Sequence, residues 1–253
     1  MTDDAHDRPP PRKGFYLLPN LFTTATLLGG FYAIVAAMRG RFSDAAVGIF
    51  AAMVADALDG RVARLTNTQS SFGKEYDSLA DMVAFGLAAA LVMYLFSLQH
   101  LAGDLSLGGK LGWLTAFVYV ACTALRLARF NVNASLDGGK GDFYGLPSPS
   151  AAAIVAGFVW VADDFAVPGE LLRWPAWAVT FAVAVLMVSN VRYPSFKQVN
   201  LAERVPFLYI LLMLVVFVLI AFDPPRVLAA VFALYVLSGP VMALWRLRQR
   251  RRA

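Results

Sequence analysis

Asp56-Ala57-Leu58-Asp59-Gly60-Arg61-Val62-Ala63-Arg64, then eight residues, then Gly73-Lys74-Glu75-Tyr76-Asp77-Ser78-Leu79-Ala80-Asp81, is the stretch on which the reading of this chain turns. Four aspartates sit at or near the ends of two successive apolar segments, about 43–65 and 77–98. A carboxylate held at mid-membrane costs about 2.5–3.5 kcal/mol on insertion scales, so acids there face a polar cavity or bind cations. Asp56 and Asp59 are three apart and share a helix face, and Asp77 and Asp81, four apart, do too. The intervening loop, about 11 residues by this reading, is short enough to make the two helices antiparallel neighbours. Four carboxylates then converge at one end of a bundle. Like charges so close need compensation, which hard divalent cations provide. All-oxygen ligation suits Mg²⁺, Mn²⁺ or Ca²⁺ rather than zinc. Two such ions about 3.5–4 Å apart can clamp a phosphate group undergoing in-line displacement. Gly60, Ala63 and Gly73 keep bulk away from the carboxylates, while Arg64 and Lys74 can meet phosphate charge. The competing reading is that the acids only form ion pairs with Arg61, Arg64 and Lys74.

The composition around this stretch is that of a membrane protein. Of 253 residues 59% are hydrophobic and only 15% charged, with a mean hydropathy of +0.61. Soluble domains have about 45–50% apolar and about 25% charged residues, and disordered chains are more polar still. A lone cysteine, Cys122, excludes a disulfide scaffold and a cysteine-based zinc site, and with only His6 and His100 there is no His-rich metal site. A span takes about 20 apolar residues. The segments at about 17–38, 43–65, 77–98, 111–130, 147–166, 171–191, 205–222 and 226–246 predict an all-α, polytopic bundle of about eight spans. Turn chemistry separates them, as at Asp137-Gly138-Gly139, Pro168-Gly169 and Asp223-Pro224-Pro225.

Seventeen of the 22 Lys and Arg residues fall in the N-terminal stretch and the alternate segments on its side. The other five, Arg39, Arg41, Lys110, Arg173 and Arg226, fall on the opposite side. The positive-inside rule then predicts an even number of spans with both termini in the cytoplasm. The acidic stretch lies on that same face, as does the basic tail Arg246 to Arg252, which suits anionic headgroups. Because the basic residues are spread along one membrane face, the pI of about 9.5 does not point to nucleic acid. The chain divides into a polar N-terminal tail (1–14), a membrane domain (15–203), two additional C-terminal spans (204–246) and a basic cytoplasmic tail (247–253). The first apolar segment is too long for a signal-peptide core and reads as an uncleaved span.

The pattern Asp-x2-Asp-Gly-x2-Ala-Arg-x8-Gly-x3-Asp-x3-Asp, matched at every fixed position from Asp56 to Asp81, resembles the signature of the CDP-alcohol phosphatidyltransferases. Leu18-Pro19-Asn20-Leu21-Phe22-Thr23-Thr24, Ala124 to Asn131, Gly145-Leu146-Pro147-Ser148-Pro149 and Tyr193 to Lys197 look like the bacterial serine-using branch of that family. The similarity runs from about residue 15 to 200. The resemblance implies a multi-pass enzyme of the cell inner membrane, working on the cytoplasmic side as a homodimer. It implies transfer of the phosphatidyl group of CDP-diacylglycerol to L-serine, with release of CMP and use of divalent cations. Carried over by position, Asp56, Asp59, Asp77 and Asp81 match the metal ligands, and Asp81 also matches the general base. Gly60, Ala63, Arg64 and Gly73 match positions lining the CDP site, with Lys74 beside them.

Serine is a zwitterion and needs a cation for its carboxylate. Arg126, Arg129, Lys140, Arg192 and Lys197 fall on the predicted cytoplasmic face, and Asn20, Thr23, Thr24 and Asn131 lie on the same side. These are the candidates for binding serine or phosphate. Three readings compete: the same chemistry with glycerol 3-phosphate, an inositol phosphate or choline as acceptor, or with an ether-linked archaeal donor; an ion or proton transporter using the buried acids; and a non-catalytic scaffold. The transporter leaves the Gly, Ala and Arg positions without a role.

Overall fold

The computed structural model describes residues 17–66, 70–103, 110–136, 145–191, 193 and 207–250. Their regular structure is all helical, with no strand among them. The order is α1 (Leu17–Met38), α2 (Phe42–Leu65), α3 (Ser71–Asp81), a π-helical stretch (Met82–Ala88), α4 (Ala89–Phe96), a 3₁₀ turn (Leu98–Gly103), α5 (Leu111–Leu136), α6 (Ser148–Asp164), α7 (Arg173–Val188), α8 (Phe207–Phe222) and α9 (Pro224–Arg250). The α3–π–α4 run is one continuous rod, Ser71–Phe96, so each predicted apolar segment corresponds to one helical rod. Among the described residues four rods are long and apolar enough to cross a membrane: Asn20–Met38, Ser71–Phe96, Leu111–Val132 and Pro224–Ala243. Arg173–Val188 and Met213–Phe222 are apolar but shorter.

One boundary departs from the hydropathy reading. The third rod starts at Ser71 rather than near residue 77, which shortens the predicted 11-residue loop to the five residues between α2 and α3. Hydropathy registers where the apolar run begins, whereas the helix begins where its first N–H groups find acceptors. Ser70 supplies one, its Oγ accepting from the Gly73 N–H at 3.0 Å. The polar turn Ser71–Glu75 is therefore helical, and α2 and α3 are joined even more tightly than the sequence implies.

Small side chains bring the rods together. The core is rich in buried alanines, among them Ala33, Ala36, Ala45, Ala52, Ala84, Ala88, Ala152 and Ala156. In lipid, helices associate through such close packing rather than through the hydrophobic effect. One such close approach is at Gly30 of α1, where a Cβ would lie 2.5 Å from the Ala84 Cα. No other residue fits there, and the contact locks α1 against the π stretch that follows Asp81. That stretch widens the helix by a residue and disturbs its regular ladder. Tyr119 of α5, fully buried, donates its hydroxyl to the Phe85 carbonyl in this region at 3.0 Å.

Antiparallel succession of the rods gives the bundle two polar ends. One gathers the start of α1, the end of α2, the start of α3, the later part of α5, the start of α6 and the end of α7. The other gathers the α1–α2 turn, the end of α6 and the start of α9. At this second end Asp163 accepts from the Ser43 backbone N–H (2.9 Å) and hydroxyl (2.5 Å), and Asp164 pairs with Arg226 at 2.9 Å. Arg226 also pairs with Asp223 and lies over the Phe165 ring, and Arg41 pairs with Asp44. Large apolar side chains such as Leu28, Phe31, Met213, Phe217 and Leu234 face outward, as expected of a lipid-facing surface.

Candidate functional site

The first polar end carries the acidic stretch. Asp56 stands one α-helical turn before Asp59 on α2, and Asp77 one turn before Asp81 on α3. The tight α2–α3 connection brings the two pairs together. Asp56, Asp77 and Asp81 each present a carboxylate oxygen within 4.8 Å of the others, all three partly buried. One oxygen of Asp81, Oδ1, is buried and has no hydrogen-bond partner. A buried acceptor left without a donor is costly in a folded protein. Here it points to a ligand the fold is built to receive, a cation or a proton-bearing group.

Asp59 does not join this trio. It is 6% exposed and accepts a hydrogen bond from the Thr23 hydroxyl of α1. The sequence reading brings four carboxylates to one point; the structure brings three, with the fourth turned to α1. At about 100° per residue, positions three apart diverge by about 60° around the helix. That angle lets Asp56 face α3 while Asp59 faces α1.

The N-terminal turn of α1 packs along the same rim. Thr24 shares a hydrogen bond of 3.0 Å with the Tyr76 hydroxyl of α3 and donates to the Asn20 carbonyl at 2.7 Å. The Asn20 side-chain oxygen lies 3.6 Å from where a Gly73 Cβ would be, and Ser70 Oγ 3.1 Å from it. A side chain at Gly73 would press on the capping Ser70 and touch Asn20. A Cβ at Gly60 would meet nothing within 4 Å, and Ala63 is half-buried, so the α2 side of the rim is open. Lys74 is exposed, and Arg64 lies on the last turn of α2, its side chain outside the description.

Arg126 reaches into the site from α5. Its guanidinium lies within electrostatic range of Asp81 and Asp56 and donates to Ser148 Oγ at 2.6 Å. Ser148 is fully buried at the start of α6, between Pro147 and Pro149. Proline suits a helix's first turn because the N–H it lacks would have no partner there. The turn Pro147-Ser148-Pro149 thus sets a rigid acceptor opposite α5. Arg129, one turn on, is exposed and donates to Asn190 Oδ1 at 2.9 Å. Asn131 donates to Ser78 Oγ at 2.9 Å, tying α5 to α3. Of the predicted residues, Asn20, Thr23, Thr24, Asp56, Asp59, Gly73, Asp77, Asp81 and Arg126 gather around one rim, with Arg129 and Asn131 at its edge. Lys140, Arg192 and Lys197 lie outside the described residues.

Ser148, Ser78, Tyr76 and Asn190 are partners that sequence reasoning did not single out as site residues. Ser148 carried a signal in its Pro-Ser-Pro setting. Ser78 and Tyr76 on α3 and Asn190 just after α7 are ordinary polar residues whose role depends on a neighbour distant in sequence.

The model of one protein family, described as CDP-alcohol phosphatidyltransferase, matches residues 16–189, which include all the trio and Arg126. A CDP-diacylglycerol–serine O-phosphatidyltransferase of Helicobacter pylori is 34% identical over 235 residues, covering 93% of this chain and 94% of the relative. One of Mycobacterium bovis is 34% identical over 204 residues, covering 76% and 67%. An archaetidylserine synthase of Methanothermobacter thermautotrophicus is 33% identical over 182 residues, covering 71% and 70%.

Proposed function

This chain belongs to the CDP-alcohol phosphatidyltransferase family, and we propose that it transfers the phosphatidyl group of CDP-diacylglycerol to the hydroxyl of L-serine, releasing CMP. The observation that carries the reading is the convergence of Asp56, Asp77 and Asp81 on the family motif, with one Asp81 oxygen buried and unpartnered. Relatives whose names specify serine, similar over most of this chain, support the acceptor.

The trio suits a hard divalent cation, Mg²⁺ or Mn²⁺, with Asp59 as a further ligand on reorientation, and Ca²⁺ fits the same oxygen donors. Such an ion neutralises diphosphate charge and acidifies a nearby hydroxyl. The residues of the chain do the rest. The open rim at Gly60 and Ala63 admits the cytidine diphosphate, and Arg64 and Lys74 meet its phosphates. Arg126, held by Ser148, receives the serine carboxylate, with Arg129 and Asn131 further along α5; Lys140, Arg192 and Lys197 are further candidates for binding serine or phosphate on the sequence alone. Asn20, Thr23 and Thr24 line the α1 side. Asp81 accepts the serine hydroxyl proton as that oxygen attacks the β-phosphorus. The bond from that phosphorus to the CMP oxygen breaks, and CMP leaves with the electron pair. A carboxylate is a weak base for an alcohol, so the transfer comes late, when the attacking oxygen has grown acidic.

The enzyme sits in the inner membrane as a homodimer of eight-span subunits, with both termini and the acidic rim in the cytoplasm. The Lys and Arg asymmetry supports this orientation. CMP release by purified protein, with CDP-diacylglycerol, Mn²⁺ or Mg²⁺, and serine against glycerol 3-phosphate, inositol phosphate and choline, tests the function. Release with serine alone is the expected result; release with another alcohol instead would replace the acceptor. Cation flux in liposomes without any CMP release would replace the enzyme with a transporter. An ether-linked donor in parallel decides the lipid class, a question raised by the archaetidylserine relative.

A further inference from the structure

The rod that carries Asp77 and Asp81 is not a regular α-helix from end to end. The turn after Asp81 is the π-helical stretch Met82–Ala88, and α4 follows it directly. In an α-helix the Ala89 N–H would bond the Phe85 carbonyl, four residues back. Here it bonds the Gly86 carbonyl instead. The Phe85 carbonyl takes the hydroxyl of Tyr119, which reaches it from α5 at 3.0 Å. Tyr119 and Phe85 are both fully buried, so water cannot replace that bond.

A π-helical stretch is rare, and its neighbours must hold it. They do so from two sides. On the α1 side Gly30 lets the backbones meet, since a Cβ there would fall 2.5 Å from the Ala84 Cα. On the α5 side Thr123, one turn after Tyr119, sets its methyl carbon 3.2 Å from where a Gly86 Cβ would be. The Thr123 hydroxyl turns back to its own helix, donating to the Tyr119 carbonyl at 2.9 Å. Tyr119 brings the polar contact from α5 to the stretch.

The stretch lies between the core and the acids. α4 is fixed in the core by Val92, Met93 and Phe96. Each residue turns a helix by about 100°, so a shift of one residue in the register between α4 and α3 swings everything before it by about that angle. Asp81 adjoins the stretch and Asp77 stands one turn before it. On a regular α-helical course both would turn away from Asp56 of α2, which has a carboxylate oxygen within 4.8 Å of one on each.

We propose that Tyr119 is a positioning residue for the acidic site: its hydroxyl, on the Phe85 carbonyl one turn beyond Asp81, holds the π-helical stretch in the register that aims Asp81 and Asp77 at Asp56. Tyr119 acts through the rod and takes no part in the proton transfer. The proposal rests on the reading of the trio as a cation and base site given above.

The test uses the full-length protein in nanodiscs with two readouts, Mn²⁺ titration of the apoprotein and CMP release from CDP-diacylglycerol with serine at saturating Mn²⁺. Tyr119→Phe keeps the ring and removes the hydroxyl. It should weaken Mn²⁺ binding about tenfold and lower kcat about tenfold, the scale of one buried hydrogen bond. The serine KM should not change, because Arg126 is held by Ser148 of α6 and not by this rod. Thr180→Val is the control for losing a buried hydroxyl. Thr180 is fully buried and bonds the Ala176 carbonyl of its own helix, α7, at 2.7 Å. Its replacement should leave Mn²⁺ affinity and kcat unchanged, whatever it does to the unfolding midpoint. Unchanged Mn²⁺ affinity in Tyr119→Phe, a raised serine KM with kcat intact, or equal losses in Thr180→Val would each overturn the proposal. If the wild type binds Mn²⁺ but releases no CMP with any alcohol, the reading of the reaction fails alone, and the Mn²⁺ titration of Tyr119→Phe still decides the role of Tyr119. If the wild type releases CMP with serine but binds no Mn²⁺ or Mg²⁺, the proposal falls and the reaction stands.

Discussion

The two polar ends of the bundle, roughly 30 Å apart along the helices, both carry clustered aspartates, and they treat them in opposite ways. At the end formed by the α1–α2 turn, α6 and α9, the acids have partners. Asp163 takes two hydrogen bonds from Ser43, Asp164 and Asp223 share Arg226, and Asp44 has Arg41. At the other end Asp56, Asp77 and Asp81 point at one another, and an oxygen of Asp81 is buried with no donor. The first arrangement fastens loops. The second is unfavourable in itself and makes sense as machinery for a ligand that brings positive charge. The number of acids does not distinguish a site from a clasp; what distinguishes them is whether the fold has satisfied the acids already.

That contrast can be broken most decisively at Asp81. Asp81→Asn should lower CMP release by about 10²–10⁴-fold, the usual contribution of a general base, with the protein still inserting and unfolding at an unchanged or higher temperature. Near-normal turnover would remove Asp81 from the chemistry. Next in size is the response to metal. Chelation should abolish turnover, and Mn²⁺ added to the apoprotein should raise its unfolding temperature, an upshift lost in Asp56→Asn and Asp77→Asn. An upshift that survives both variants would place the ion elsewhere. A smaller and more selective effect is expected at Arg126. Arg126→Ala should raise the serine KM by at least tenfold, whereas Arg248→Ala, on the exposed end of α9, should not; equal effects would refute the carboxylate role. The weakest effects belong to the clasp. Arg226→Ala should cost about 0–1 kcal/mol, because the guanidinium and its Asp164 partner are half-exposed and water screens them, and turnover should stay normal. A large loss of activity there would mean the two ends are coupled.

Much of this was legible in the residues themselves. The eight apolar segments each correspond to a helical rod, because in lipid a backbone must satisfy its hydrogen bonds internally and a helix is the local way to do so. The pairs Asp56/Asp59 and Asp77/Asp81 could be placed on helix faces by counting. The separation of Asp59 from the trio could not, since it depends on where Thr23 of another helix lies. Nor could the early start of α3, which a single capping serine sets and which average hydropathy cannot register. The π-helical stretch after Asp81 left no mark in composition, because it answers to packing against α1 and α5 rather than to local propensity. The C-terminal helices α8 and α9 likewise carry no local mark of what they pack against. On α9, the opening at Gly239 and Pro240 appears only once Tyr193 is seen to fill it.

By itself, then, the sequence settled the membrane class, the helical architecture, the family and the residues worth watching. Each of those follows from local chemistry: hydropathy, periodicity and a motif of fixed spacing. Tertiary structure alone decided which three of four aspartates converge, that Arg126 donates to Ser148, and that Asp59 turns to Thr23. Those outcomes depend on distances between helices far apart in the chain. Such distances are set by which small residues let two backbones approach, and become visible only when both helices are in place.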